Sequence, residues 1–193
     1  MGRFLRQSIV TALRPPLILF GRCLGPIYRL AFGRRDIKAA QARERELAVL
    51  VTAEFEFLFT ERCARITGRD LTLTFPPPFD YATVIAVDDK LAYRFTEGRD
   101  EQTTAIRAAW KQGPWNELSL VLSLLPDSEE VRRGSIPDFR HAAEMLRKNI
   151  GELDEAFAQD KFRELEAKIN QERERDRVII KQIENELNRR LYG

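Results

Sequence analysis

Before position 36 the chain contains no aspartate, no glutamate and no lysine, yet it places seven arginines there: Arg3, Arg6, Arg14, Arg22, Arg29, Arg34 and Arg35. Histidine occurs once, as His141, and cysteine twice, as Cys23 and Cys63. So few imidazoles and thiols cannot furnish a conventional four-ligand zinc site. Ser/His/Asp or Cys/His catalysis would rest entirely on His141, whose place near the start of a helical pattern reads as a surface or cap histidine. The ten glycines are scattered, so neither a phosphate-binding loop nor a dinucleotide fingerprint can be written. Two cysteines in 193 residues make no disulfide scaffold, which points to a reducing compartment. Long apolar runs are missing from the arginine segment as well. Its longest uncharged stretches, Gln7–Leu13 and Pro15–Gly21, fall far short of the roughly 20 apolar residues of a membrane-spanning helix. Arg14, Arg22 and Arg29 also interrupt any secretory-signal core, and no small-residue cleavage site follows.

What is present is a sharp asymmetry. Net charge is +2, but residues 1–35 carry +7, which leaves −5 for a remainder with 25 basic and 30 acidic groups. The apolar fraction of 44% is enough for an ordinary core, and the charged fraction of 32% exceeds the typical value of about 25%. A cationic head on an acidic body calls for a negatively charged target of its own.

The head is amphipathic. At about 100° per residue, Phe4, Leu5, Ile9, Ala12 and Leu13 share one face, and Arg3, Arg6, Gln7 and Arg14 the other. After Pro15-Pro16, Leu19, Phe20, Cys23, Leu24, Ile27 and Leu30 gather on one side, with Arg22 and Arg29 opposite. Two short helices lying in the headgroup plane of an anionic membrane fit this pattern, with apolar side chains down and guanidinium groups up. The expected membrane-binding set is therefore Arg3, Arg6, Arg14, Leu19, Phe20, Arg22, Leu24, Ile27, Arg29, Arg34 and Arg35. The same residues also describe a mitochondrial import segment, an arm for nucleic acid, and a surface that packs on the acidic body or on a partner subunit.

Residues 36–135 read as a small α+β domain. One helix is expected from Asp36 to Thr67, stopped by Gly68, with Leu47, Leu50, Val51, Phe55 and Leu58 on one face. Leu71, Leu73 and Phe75 alternate with threonine as a first strand, ended by Pro76–Pro78. A second strand is expected over 81–87 and a third at Leu91, Tyr93 and Phe95, joined by a tight turn at Asp88-Asp89. The pattern then predicts a helix over Arg99–Lys111; 118–125 fits a strand or a short helix, its period being ambiguous, and is read as a strand. Residues 136–193 form a long helix or two. Phe139, Ala143, Leu146, Ile150, Leu153 and Phe157 keep heptad spacing, and the seam resumes at Val178, Ile179, Ile180, Ile183, Leu187 and Leu191 after the wholly polar Asn170–Arg177. Such a seam packs against the protein's own core or forms a short helical pair with another chain; in the second case Phe139, Leu146, Ile150, Leu153, Ile179, Ile183 and Leu187 are the expected docking residues for a protein partner or a second copy. No internal repeat is visible. The architecture expected is α+β, mainly α: a small antiparallel meander sheet over about 71–96, extended to 118–125, covered by helices.

One constellation carries possible chemistry. Asp80 precedes the second strand, and Asp88-Asp89-Lys90 follows it in a helix, three-strand, helix order. This resembles the restriction-endonuclease-like family, in which acidic groups and an acidic-x-Lys pair hold a divalent metal and a lysine sits near the attacking water. That resemblance implies a metal-dependent nuclease with Asp80, Asp88 and Lys90 at its centre. It covers residues 36–125 at most. Asp88 and Lys90 fall in the expected turn rather than mid-strand, where a surface hairpin explains them. The reading favoured from the sequence is a non-enzymatic subunit without cofactor or metal. It sits peripherally on the cytoplasmic face of a membrane, or in a mitochondrial complex in the alternative, and docks partners through its C-terminal helix.

Overall fold

The computed structural model describes residues 33–72, 81–98, 101–126 and 136–192. Helices α1 (Gly33–Glu54) and α2 (Glu56–Thr60) lead into the sheet strands β1 (Arg65–Thr72), β2 (Tyr81–Val87), β3 (Leu91–Glu97), β4 (Gln102–Ala108) and the two-residue β5 (Asn116–Glu117). Helices α3 (Leu118–Leu122), α4 (Phe139–Ala156) and α5 (Phe162–Tyr192) complete the order. The strands form an antiparallel meander in the spatial order β1-β2-β3-β4-β5. The α+β architecture expected from the sequence is the one observed.

The alternation of β2 decides which side of the sheet is core. Ala82, Val84 and Ala86 are buried, while Tyr81, Thr83, Ile85 and Val87 are half-buried on the other face. Tyr93 and Phe95 of β3 and Ile106 of β4 join the buried face. Against it pack Leu47, Val51 and Phe55 from α1 and its end, and Phe139 and Leu146 from α4. Phe55 lies 4.4 Å from Phe95, and Phe139 lies 6.0 Å from both, edge-on, so three aromatic rings from three elements pin the layers together.

Several elements differ from their sequence expectations. The helix expected to run from Asp36 to Thr67 ends at Glu54, and α2 ends at Thr60. A straight helix cannot bury Phe55, Phe57 and Leu58 together with Leu47 and Val51 on one face, and the break at Phe55 lets all of them reach the core. Cys63, at φ 54°, turns the chain in the left-handed region, and Ala64 N–H donates to the Leu58 carbonyl to close the turn. Gly68, the expected helix stop, instead lies in β1, where the register against β2 shifts between Ile66 and Gly68. The first strand is thus Arg65–Thr72, and residues 73–80 lie outside the described residues. The helix expected over Arg99–Lys111 is β4, whose Thr104, Ile106 and Ala108 face the core with strand periodicity. The expected strand 118–125 is α3 instead, and all five of its residues are buried, which leaves no polar face to betray its period.

Helix α4 starts cleanly because Asp138, in an extended conformation, accepts a hydrogen bond from the His141 backbone N–H at 2.9 Å. Lone His141 therefore belongs to a helix cap, with its ring Nδ1 2.8 Å from the same Asp138 oxygen.

Candidate functional site

Two constellations stand out: a buried charge cluster holding two of the three candidate metal residues, and the outer half of α5. In the cluster, Arg62 follows α2 and reaches two acids at once. Its Nε donates to Asp88 Oδ2 at 2.6 Å, and Nη1 and Nη2 form a bidentate pair with Asp154 of α4 at 2.9 and 2.8 Å. Lys90 Nζ donates to the same Asp154 at 2.9 Å, and Tyr93 Oη donates to Asp88 Oδ2 at 2.7 Å. Asp88 Oδ1 accepts the backbone N–H groups of Lys90 and Leu91 at 2.8 and 2.7 Å, which shapes the β2–β3 turn.

Both oxygens of Asp88 thus accept two donors each, and its side chain is fully inaccessible. Burial works to raise its pKa, but Arg62, the turn N–H groups and Tyr93 outweigh it and hold the carboxyl below its ordinary value. Burial likewise opposes the charge on Arg62, yet Asp154 and Asp88 hold its pKa above normal. Burial and the Asp88 charge push the Tyr93 phenol up, so it stays a donor. The result is a clamp joining the α2–β1 corner, the β2–β3 hairpin and α4. It ties down the two described members of the metal set, Asp88 and Lys90, through ion pairs. Asp80 lies outside the described residues, and among the described residues no group of three or more His, Cys, Asp or Glu could hold a metal ion.

The docking residues expected along the C-terminal region divide in two. Phe139, Leu146 and Leu153 are buried at 1%, 0% and 0% exposure, and Ile150 packs half-buried against them. These four belong to the protein's own core, because the heptad face of α4 is the face laid on the sheet. They are corrected from docking residues to core residues. Ile179 and Leu187, by contrast, are 51% and 47% exposed, and Ile183 is half-buried.

The exposure has a geometric cause. Phe162, Leu165 and Ile169 bury the first turns of α5, with Phe162 5.5 Å from both Trp110 and Phe157. Arg173 ties the helix to the body, its Nη2 donating to the Trp115 carbonyl at 3.0 Å and to Asn116 Oδ1 at 2.9 Å. Further out, Arg175, Arg177 and Arg190 pair with Glu172, Glu174 and Glu186 of the same helix. About 28 Å of helix, from Arg173 to Tyr192, runs on in this way. Ile180, Ile183 and Leu187 stand eighteen residues beyond Phe162, Leu165 and Ile169 respectively, which is about five full turns. The outer triad therefore continues the very face that the inner triad buries.

Of the expected membrane-binding residues, Arg34 and Arg35 fall in the first turn of α1, and Arg3, Arg6, Arg14, Leu19, Phe20, Arg22, Leu24, Ile27 and Arg29 lie outside the described residues. Among the described residues no helix is long and apolar enough to cross a membrane. Neither Arg62 nor Asp154 is marked by any local pattern, because 92 residues separate these partners. Compared with protein families, with curated proteins and with solved structures, the chain matches none.

Proposed function

We propose that the chain is a non-enzymatic assembly subunit that lies peripherally on the cytoplasmic face of an anionic membrane. In this reading residues 1–35 form the tether and the outer half of α5 docks an amphipathic helix of a partner protein. The observation that carries the docking half is the copied apolar triad on a helix that has already left its own body. A solvated helix has no use for Ile179, Ile183 and Leu187 on one side, since exposed apolar stripes mark interaction surfaces. Because the stripe continues the buried face of α5, an occupant would lie beside the body rather than behind the helix. The charges flanking it are mixed, with Arg175, Arg177, Lys181, Arg189 and Arg190 against Glu172, Glu174, Asp176, Glu184 and Glu186. Such flanks suit a helical partner with both signs of charge better than a polyanion.

The tether rests on the composition of residues 1–35, seven arginines without one acid among apolar side chains. Each arginine near an anionic leaflet contributes about 1 kcal/mol. The test is vesicle flotation of the full chain and of a chain lacking residues 1–35, on anionic and neutral lipid at low and high salt. Flotation of the full chain alone, mainly on anionic vesicles and partly surviving high salt, is the expected result. Failure of both chains to float removes the membrane half. The docking half is tested by a photo-crosslinking residue at position 183, on the stripe, or at 185, on the opposite side. Adducts to another protein from 183 only are expected; adducts from both positions alike, or only to a second copy, contradict it.

A further inference from the structure

A second surface lies where α5 leaves the body, and among the described residues it gathers three cations around one acid. Arg107 of β4, Lys111 after it, Asn116 of β5 and Arg173 of α5 line a notch of about 30 Å³ together with Glu166. That is room for about two water molecules, with an open mouth. Three cations thus face one anion. Lys111 is the one matched, its Nζ donating to both Glu166 oxygens at 2.7 and 2.9 Å.

Among the described residues, the two arginines are held by no carboxylate. Arg107 Nη1 donates to the Gly113 carbonyl at 3.4 Å, and its guanidinium lies 4.4 Å from the Trp115 ring centroid. Arg173 spends its hydrogen bonds on the Trp115 carbonyl and on Asn116, which is 5% exposed. Carbonyls and a ring face position a guanidinium but leave its charge in place, and each guanidinium has five N–H donors to give. Burial, and then the nearby Arg177, make the charge on Arg173 harder to hold. An anion in the notch would remove that penalty. The sequence offers no sign of this site, because it joins a strand end, a loop and a helix 66 positions apart from Arg107 to Arg173.

We propose that the notch between Arg107, Lys111 and Arg173 is an oxyanion site that takes one or two oxygens of a phosphate group, with the rest of the group at its mouth. The planar forks of the two arginines suit two phosphate oxygens at once, and Lys111 supplies a point charge at the rim. Free phosphate and the phosphomonoester headgroup of a lipid present the same chemistry, and both are probed.

The experiment is an NMR titration of the full ¹⁵N-labelled chain with sodium phosphate, against sodium chloride at matched ionic strength. The Trp115 indole N–H signal reports on the notch, and that of Trp110, donating to the Phe157 carbonyl, serves as the internal control. The expected result is a saturating shift of the Trp115 signal with phosphate, absent with chloride and small for Trp110. Arg107→Gln and Arg173→Gln each weaken binding by roughly tenfold, the worth of one charge-assisted hydrogen bond. Arg173→Gln can also loosen α5, so Glu166→Gln supplies the decisive gain: removing the one acid among the described lining residues tightens phosphate binding, which damage to the fold would not do. No saturable shift, an equal shift with chloride, or unchanged affinity in all three variants overturns the site. Titration with a short-chain phosphatidic acid below its micelle concentration separates the sources. Tighter binding than inorganic phosphate assigns the headgroup, and equal binding assigns free phosphate.

Discussion

The two halves of α5 carry the same apolar spacing and meet opposite fates. Phe162, Leu165 and Ile169 are at most 7% exposed, whereas of their equivalents five turns on, Ile180 and Ile183 are only half-buried and Leu187 is 47% exposed. Side-chain type does not distinguish the halves, and neither does helical face. What differs is the supply of complementary surface: Trp110 and Phe157 wait under the inner half. The stretch between the two halves, Asn170–Arg177, is polar, and Arg173 within it fastens the helix to the body. The same pattern can therefore serve as core or as docking surface, and only the neighbouring elements say which.

The comparison can be broken hardest on the body side. Arg62→Met leaves Asp88 and Asp154 without their shared guanidinium, with Asp88 fully buried. A loss of roughly 3–5 kcal/mol is expected from urea unfolding, mostly the cost of a stranded buried charge. The next break compares equivalent positions directly. Leu165→Ala, at 5% exposure, should cost about 2–4 kcal/mol through its cavity. Ile183→Ala, eighteen residues on, should stay within about 0.5 kcal/mol in the same assay. A third prediction titrates the body. The Asp88 carboxyl has its folded pKa lowered below the ordinary 3.8, so its stabilisation is present above that value and is lost as pH falls through the folded pKa. Urea midpoints should fall steeply below about pH 4 in the native chain, and Asp88→Asn should flatten that limb while lowering the midpoint at neutral pH. The smallest effect concerns the start of α4, where Asp138→Ala should cost about 1 kcal/mol through the lost cap.

Much of the body was legible because its signals are local. Strand β2 followed from its β-branched run Thr83, Val84, Ile85 and Val87, β3 from the alternation of Leu91, Tyr93 and Phe95, the turn between them from Asp88-Asp89, and α4 from its heptads. Strand β4 was not, since Thr103, Thr104, Ala105 and Ile106 fit a helix window as well as a strand, and only pairing with β3 decides between them. Strand β1 was displaced because Arg65–Thr67 continue the helical pattern and Gly68 reads as its stop. Among the described residues β1 is an edge strand, where charges such as Arg65, Arg69 and Asp70 are protective. The site was legible by halves. The apolar seam of α5 is plain in the sequence, but whether it is buried depends on contacts between distant segments. Arg62 with Asp154, and Arg107 with Arg173, depend on such contacts altogether.

The claim that the outer half of α5 is reserved for a partner is tested most directly by hydrogen exchange on the full chain in solution. Amides of Phe162–Asn170 should exchange with the protection of α4, while those beyond Arg177 should exchange orders of magnitude sooner, as in a helix without tertiary support. Protection beyond Arg177 equal to that of α4 would mean that the stripe is already covered within the free protein, and the docking role would fall.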